Sequence, residues 1–176
     1  MRNGGIDGVK SENNSIGISI NQSSNITIEN STALINSFGI TVYDSSGNVF
    51  ENCTASNNSW QGIYLGNSSG NIIANSKIEN NSIGVMSAIN SETNSIYHNN
   101  FVNNEIQAYD EGANRWDNGY LSGGNYWSDY TGKDADGDGI GDTPYAISGD
   151  NNRDRYPLTN PFEPLVQAPP TKGNGS

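Results

Sequence analysis

The chain has 176 residues, of which 32% are hydrophobic and 15% are charged, and it carries a formal net charge of −11. This length fits one domain, and 19 acidic against 8 basic residues exclude nucleic-acid binding, which requires clustered Lys or Arg. A single cysteine excludes an internal disulfide framework, and no apolar run approaches the roughly 20 residues of a membrane span.

A repeat of 22 to 23 residues runs from Ser15 to Asn104. Asn3–Asn14 is a half-unit before it, in which Ile6 aligns with Ile28. Four units of 22 to 23 residues share four columns: Gly17, Gly39, Gly62 and Gly84; Ile18, Ile40, Ile63 and Val85; Asn25, Asn48, Asn71 and Asn94; and Asn30, Asn52, Asn75 and Asn99.

Apolar residues within each unit alternate with polar ones over short runs, as in Ile16, Ile18 and Ile20, which is typical of strands. Asn, Ser and Gly separate these runs. Three strands and three turns per unit predict a right-handed parallel β-helix over residues 3–110, with aliphatic residues stacked inside. The Asn and Gly columns are predicted to serve turn geometry and hydrogen-bonded ladders along the axis.

The composition changes after Tyr109, where Trp, Tyr and Asp become frequent. Four motifs there resemble the end of the NosD-like repeat domain: Trp-Asp-Asn-Gly at 116–119, Gly-Asn-Tyr-Trp-Ser-Asp-Tyr at 124–130, Thr-Pro-Tyr at 143–145 and Asp-Arg-Tyr-Pro-Leu at 154–158. That domain occurs in periplasmic NosD proteins and in archaeal surface proteins.

The resemblance implies an exported protein, periplasmic, extracellular or on the cell surface, of the β-helix class shared by carbohydrate-binding proteins and sugar hydrolases. Residues 111–158 would then form a cap over the last coil. Residues 159–176 are rich in proline and are predicted to be a linker or tail.

The segment Lys133–Tyr145 has the spacing of a calcium-binding loop. Gly139 occupies the sharp turn at position 6, and position 12 is Tyr145 instead of the usual Glu. The predicted metal ligands are the side chains of Asp134, Asp136, Asp138 and Asp142 and the carbonyl of Ile140. We expect Ca²⁺ to stabilise the cap, with Asp129, Asp150 or water completing the site; a metal-free acidic turn is the alternative.

The repeat also places Asp7, Glu29 and Glu51 in one column, which continues as Ala74 and His98. We expect these acids to face solvent, although a cation site, a sugar site or a catalytic pair would also use them. The soft donors Cys53, Met86, His98 and Met1 share no column, so the sequence does not support copper binding.

Trp60, Tyr43 and Tyr64 are candidates for stacking on sugar rings. The repeat allows two registers between the neighbouring coils: either Tyr43 or Val42 lies level with Tyr64. The sequence therefore predicts a non-catalytic, calcium-stabilised domain of an exported protein that binds a polysaccharide or glycan. Two alternatives stay open: a structural subunit that stacks end to end through the ends of the β-helix, and a polysaccharide lyase or hydrolase.

Overall fold

The structure is a computed structural model and describes residues 2–163, in which there is no helix. Five coils of three strands each form a β-solenoid. Their strands are β1 (Arg2–Asp7), β2 (Lys10–Glu12) and β3 (Ile16–Asn21); β4 (Ser24–Glu29), β5 (Thr32–Leu34) and β6 (Phe38–Tyr43); β7 (Val49–Glu51), β8 (Thr54–Ser56) and β9 (Gln61–Gly66); β10 (Ile72–Ala74), β11 (Lys77–Glu79) and β12 (Ile83–Ser87); and β13 (Ser95–Tyr97), β14 (Asn100–Val102) and β15 (Ile106–Asp110).

Equivalent strands of successive coils pair in parallel and make three sheets. Sheet A has the order β1-β4-β7-β10-β13, sheet B begins β2-β5-β8-β11-β14, and sheet C begins β3-β6-β9-β12-β15. Four short strands follow: β16 (Tyr126–Trp127) extends sheet B, β18 (Ser148–Gly149) extends sheet C, and β17 (Tyr145–Ala146) pairs antiparallel with β19 (Arg153–Asp154).

The predicted aliphatic column is confirmed. Ile18 pairs with Ile40, Ile40 with Ile63, and Ile63 with Val85, and Ile6 pairs with Ile28 as expected. All of the column members are buried, and Ile40, Ile63 and Val85 have no exposed surface. Coils spaced by about 4.8 Å thus share one narrow core, because no coil can bury its apolar face alone.

Residues with a positive φ form four columns that run along the corners of the solenoid. Asn tolerates this left-handed conformation better than most residues, and Gly adopts it freely. The columns are Gln22, Asp44, Asn67 and Asn90; Asn25, Gly47, Gly70 and Thr93; Gly8, Asn30, Asn52, Asn75 and His98; and Asn13, Ile35, Asn57, Asn80 and Asn103.

Beyond the first coil, the residues that follow the left-handed positions of the solenoid are buried, and several of them form ladders of amides. Asn48 Nδ2 donates to Asn71 Oδ1 over 2.9 Å, and Asn71 Nδ2 donates to Asn94 Oδ1 over 3.0 Å. A second ladder, which the sequence alignment did not single out, runs through Asn36, Asn58, Asn81 and Asn104. The ladders satisfy amides that would otherwise be buried without partners.

Two predicted columns are therefore wrong by one residue. Asn25 is left-handed and lies level with Gly47, whereas Asn48 belongs to the ladder. Asn99 is likewise a ladder residue, and His98 occupies the left-handed position level with Asn75. The left-handed corner position and the ladder position are adjacent in sequence, and Asn occurs at both. An alignment that matches Asn with Asn therefore cannot tell one position from the other.

The glycine column is in register as predicted, but its purpose is not turn geometry. A Cβ on Gly62 would lie 2.7 Å from the carbonyl oxygen of Gly84 and 2.7 Å from Asn81 Nδ2. Gly17, Gly39 and Gly84 are equally crowded by the next coil. These glycines allow the backbones of neighbouring coils and the inner amide ladder to approach closely.

The segment after Asp110 covers the last coil with aromatic rings. Trp127 stacks on Phe101 with a centroid distance of 4.2 Å and on Tyr145 at the same distance, and Trp116 is buried beside it. This stack continues the apolar core beyond the repeats.

Residues 159–163 of the predicted tail contact the solenoid. The ring of Phe162 stacks on His98 at 4.2 Å, and its backbone N–H donates to Asn100 Oδ1 over 2.7 Å. The rest of the predicted linker, residues 164–176, lies outside the described residues.

Candidate functional site

The outer surface of sheet C exposes several apolar and aromatic side chains, among them Ile16, Tyr43 and Ile106. We call it the sheet C face and define it by two rows of outward residues. The first row is Ile16, Phe38, Gln61, Ile83 and Ile106, and the second is Ser19, Thr41, Tyr64, Met86 and Tyr109. Four of the first row and three of the second are apolar or aromatic.

Tyr43 and Tyr64 both belong to this surface, but neither predicted register is correct. Tyr64 lies level with Thr41, and Tyr43 lies level with Gly66. The two rings nevertheless stack, with centroids 6.3 Å apart and planes inclined by 24°. Gly66 makes this possible, because a Cβ there would lie 2.7 Å from Tyr64 Cε1 and 2.8 Å from Tyr43 Cε2.

The third predicted aromatic contact, Trp60, lies at the edge of the same face. Its ring is 5.8 Å from the ring of Phe38, and 59% of the residue is exposed. The structure thus brings all three predicted aromatic residues to one surface. A shallow concavity of ≈ 280 Å³ lies beside Tyr43 and Tyr64 and is lined by Ile16, Ser19, Asn21, Phe38, Thr41, Tyr43 and Tyr64.

Sequence reasoning did not identify Phe38 or Gln61 as members of this surface. Gln61 is only 8% exposed, and its Nε2 lies 3.4 Å from the sulfur of Met86. Its Oε1 has no hydrogen-bond partner among the described residues. The signal was present in the repeat, because Phe38 and Gln61 are two residues before Ile40 and Ile63 of the core column.

The acidic column has the predicted register over its first three members, since Asp7 pairs with Glu29 and Glu29 with Glu51. It continues through Ala74 and Tyr97, so the predicted extension to His98 is wrong. Asp7 and Glu29 face solvent.

Carboxylates of this column accept hydrogen bonds from the amides of left-handed corner residues. Asn30 Nδ2 donates to Asp7 Oδ1 over 2.9 Å, and Asn75 Nδ2 donates to Glu51 Oε1 over 2.8 Å. These contacts give the acids a structural partner at the corner of the solenoid.

The acidic loop of the cap gathers three of the predicted ligands. Asp134, Asp136 and Asp138 each present a carboxylate oxygen, and these oxygens all lie within 4.8 Å of one another. Asp142 belongs to the same loop, where its Oδ2 accepts a hydrogen bond of 3.0 Å from the backbone N–H of Ala135. That these four aspartates and the carbonyl of Ile140 bind Ca²⁺ stays a prediction.

Backbone donors orient the first aspartate of this loop. Gly137 N donates to Asp134 Oδ1 and Gly139 N to Asp134 Oδ2, over 2.7 and 2.9 Å. Loss of solvation works to raise the pKa of Asp134, but these N–H groups outweigh it and hold the pKa below its usual value. A carboxylate that stays ionised is what a hard cation requires.

Asp129, one of the groups considered for completing the site, has other partners. The hydroxyl of Tyr145 lies 3.1 and 3.2 Å from its two oxygens, and Gln107 Nε2 lies 3.2 Å from one of them. Asp138, by contrast, accepts a hydrogen bond of 2.8 Å from the hydroxyl of Tyr120, which lies outside the loop.

Two of the soft donors, Cys53 and His98, contact backbone carbonyl oxygens. The sulfur of Cys53 is buried 3.4 and 3.5 Å from the carbonyl oxygens of Glu51 and Ile28, and burial raises the pKa of this thiol. His98 Nε2 lies 2.7 Å from the carbonyl oxygen of Ser122. Among the His, Cys, Asp and Glu side chains of residues 2–163, the cluster of three that could hold a metal ion consists of the carboxylates of Asp134, Asp136 and Asp138. Copper prefers sulfur and imidazole ligands. Met1 lies outside the described residues.

A family model described as "Periplasmic copper-binding protein (NosD)" matches residues 2–132. No curated protein gives a significant match to the chain. Within residues 2–163 we find no helix of the length and apolarity needed to cross a membrane.

Proposed function

The chain belongs to the NosD family, and from this premise we propose that it is an exported, non-catalytic β-helix domain that binds carbohydrate on the sheet C face. The family description supports export to the periplasm. The copper named in that description does not extend to this chain, because its residues do not fit that metal.

One observation carries the proposal: the sheet C face holds exposed aromatic rings at a shallow concavity. Tyr43 and Tyr64 stack there, and the ring of Trp60 lies 5.8 Å from that of Phe38, tilted by 31°. Flat pyranose rings present C–H groups that pack against aromatic faces, and Tyr and Trp offer large contact areas at little cost in side-chain entropy. Ser19, Thr41 and Asn21 add polar groups at the margin of the concavity.

A glycan-array screen of the full chain tests this function. We expect binding to a subset of glycans, lost when Tyr43, Trp60 and Tyr64 are all replaced by alanine, and no release of reducing ends from the bound glycans. Val49→Ala and Ile72→Ala, on sheet A, are matched controls that should retain binding. Release of reducing ends would support the lyase or hydrolase alternative, and absence of any glycan binding would refute the proposal.

We propose further that Ca²⁺ binds Asp134, Asp136 and Asp138, with Asp142 and the carbonyl of Ile140, and stabilises the cap. Clustered carboxylates with exposed oxygens support this assignment, since a cation relieves their mutual repulsion. The loop is tied to the end of the cap, because Gly141 N donates to the carbonyl of Pro157 and Thr159 N to that of Gly139.

Thermal unfolding in Ca²⁺ and in EGTA tests the calcium site. A ligand present at 100 times its Kd should raise the melting temperature by about 5–10 °C for a chain of this size. The double variant Asp136→Asn/Asp138→Asn should melt at the same temperature in both solutions, and Glu29→Gln, on sheet A, should behave like the wild type. Equal melting temperatures of the wild type in Ca²⁺ and EGTA would contradict the assignment.

A further inference from the structure

The strands of the sheet C face carry no ionised group toward the solvent. Strands β3, β6, β9 and β12 contain no Asp, Glu, Lys or Arg. In β15 the one acidic residue, Asp110, is buried and accepts the indole N–H of Trp116 over 2.8 Å. In a chain with a net charge of −11, an uncharged surface of this extent indicates a ligand without charge.

Carboxylates lie at the margins of this face. Asp44 follows β6 and Glu105 precedes β15, where Ser82 Oγ donates to its Oε2 over 2.9 Å. Glu111 follows β15, and the hydroxyl of Tyr109 lies 3.4 Å from its Oε1. A polysaccharide of uronic acids laid across the face would bring its carboxylates close to these three groups, and like charges repel.

The face also holds a buried hydrogen-bond acceptor without a partner. Gln61 lies in the first row between Phe38 and Ile83, and its side chain reaches the sulfur of Met86 in the second row. Because a buried amide oxygen that lacks a hydrogen bond costs free energy, a donor supplied by a ligand would be favoured. Sugar hydroxyls are donors of this kind.

The dimensions of the solenoid suit a chain of sugars. Each row advances by about 4.8 Å from one coil to the next, close to the length of one sugar unit in an extended glycan. Five coils therefore present a track of roughly four units between Ile16 and Ile106. A glycan that runs along the solenoid axis would meet one outward residue of each row at every unit.

We propose that the ligand of the sheet C face is a neutral polysaccharide that runs along the solenoid axis, and that the Gln61 side chain, whose Oε1 is buried in the free protein, turns toward the ligand to accept a hydrogen bond from a hydroxyl. This inference rests on the proposed function, because it specifies the carbohydrate bound on the same face. Gln61 is a specificity-determining residue: it selects a hydroxyl donor and disfavours a carboxylate at the same place.

Calorimetric titration of the full chain tests the inference. The neutral probes are cellohexaose, mannohexaose and maltohexaose, and the acidic probe is hexagalacturonate. We expect at least one neutral probe to bind at least tenfold more tightly than the acidic one, with an affinity that is unchanged between 50 and 500 mM NaCl. Gln61→Met, which keeps the length and burial of the side chain, should weaken that binding about tenfold.

Far-ultraviolet circular dichroism and the melting temperature establish that Gln61→Met folds. If Gln61→Met does not fold, Ser19→Ala, at the margin of the concavity, serves as the second variant. It should weaken binding of the neutral probe severalfold. Preferential binding of hexagalacturonate would overturn the neutral-ligand inference and leave the proposed function standing. Unchanged affinity in the Gln61 variant would overturn the role of that residue. Binding of none of these probes would overturn the inference if other glycans of the array bind, and the proposed function itself if none does.

Discussion

At the scale of single residues, the corners follow a two-residue pattern in which a left-handed residue precedes an inward one. Ile35 departs from it: its φ is +55°, in a column that otherwise contains Asn13, Asn57, Asn80 and Asn103. A β-branched residue is strained in this conformation, because its Cβ crowds the backbone. More than half of Ile35 is exposed, so little buried contact offsets the strain.

We expect Ile35→Asn to stabilise the protein by about 1 kcal/mol, since it removes this strain. Chemical denaturation measures the change. Asn57→Ile places the same side chain in the same column one coil further on, and should destabilise by a similar amount. A loss of stability in Ile35→Asn would show that the side-chain contacts of Ile35 outweigh its backbone conformation.

Two aspartates of the cap differ in ionisation. Burial raises the pKa of Asp154 to about 6, although Asn125 N and Trp127 Nε1 donate to it and the charge of Asp117 adds to the rise. Burial also acts to raise the pKa of Asp117, but the guanidinium of Arg155, which donates to both of its oxygens, outweighs it and holds the pKa low.

Carbon-13 titration of the side-chain carboxyl groups should therefore show Asp154 titrating near pH 6 and Asp117 below its ordinary range. The raised pKa means that the contribution of Asp154 to stability is complete below about pH 4 and is lost as the pH rises through 6. Two pKa units correspond to about 3 kcal/mol of unfolding free energy between pH 4 and 7.5. Titration of Asp154 below pH 4 would contradict this assignment.

At this scale the sequence predicted the aliphatic column completely and the asparagine columns in part. Ile18, Ile40, Ile63 and Val85 were identifiable because each follows a glycine that recurs at the spacing of the repeat. Asn25 and Asn99 were misplaced because Asn suits both a left-handed corner and the ladder position next to it. The strain at Ile35 has no sequence signal until the register of its column is known.

Among the elements, four strands of sheet C, β3, β6, β9 and β12, depend on a glycine at their second position. A Cβ on Gly62 would meet Gly84 O and Asn81 Nδ2 at 2.7 Å, and neither the backbone nor the amide ladder can move without disturbing the next coil. We expect Gly62→Ala to destabilise the protein by about 3 kcal/mol, measured by chemical denaturation. The change would displace sheet C relative to the ladder.

Gly5→Ala is the matched control for this prediction. Gly5 also lies in a strand, but the nearest atom to an added Cβ is 3.9 Å away. The substitution should change stability by less than about 1 kcal/mol. Equal effects of the two substitutions would show that glycine matters here through chain flexibility and not through close approach.

The cap illustrates where pattern reasoning ends at the level of elements. Its motifs marked the segment, yet its strands are only two residues long, too short for a periodicity to predict. Trp116 and Trp127 are held by Asp110 and Asp154, which lie 6 and 27 residues away in sequence. Pairings of that kind follow from the three-dimensional arrangement and leave no local pattern.

For the whole molecule, the central feature is that one face differs from the other two. Outward charges lie on sheets A and B, as with Glu29 and Lys77, whereas the sheet C face is uncharged and aromatic. Trp60, Tyr43 and Tyr64 were predicted because exposed aromatic residues are unusual in a chain rich in Asn and Ser. Gln61 was missed, since its role depends on burial beside Met86, which no sequence pattern encodes.

Tryptophan fluorescence offers the most direct test of this feature. Of the three tryptophans, Trp116 and Trp127 are 1% exposed and Trp60 is 59% exposed, so acrylamide should quench Trp60 alone. We predict that a saturating neutral oligosaccharide, identified by calorimetry, will protect Trp60 and lower the quenching constant at least twofold, and that Trp60→Phe will abolish the response. Unchanged quenching of Trp60 in the saturated complex would contradict the assignment of the sheet C face as the binding surface.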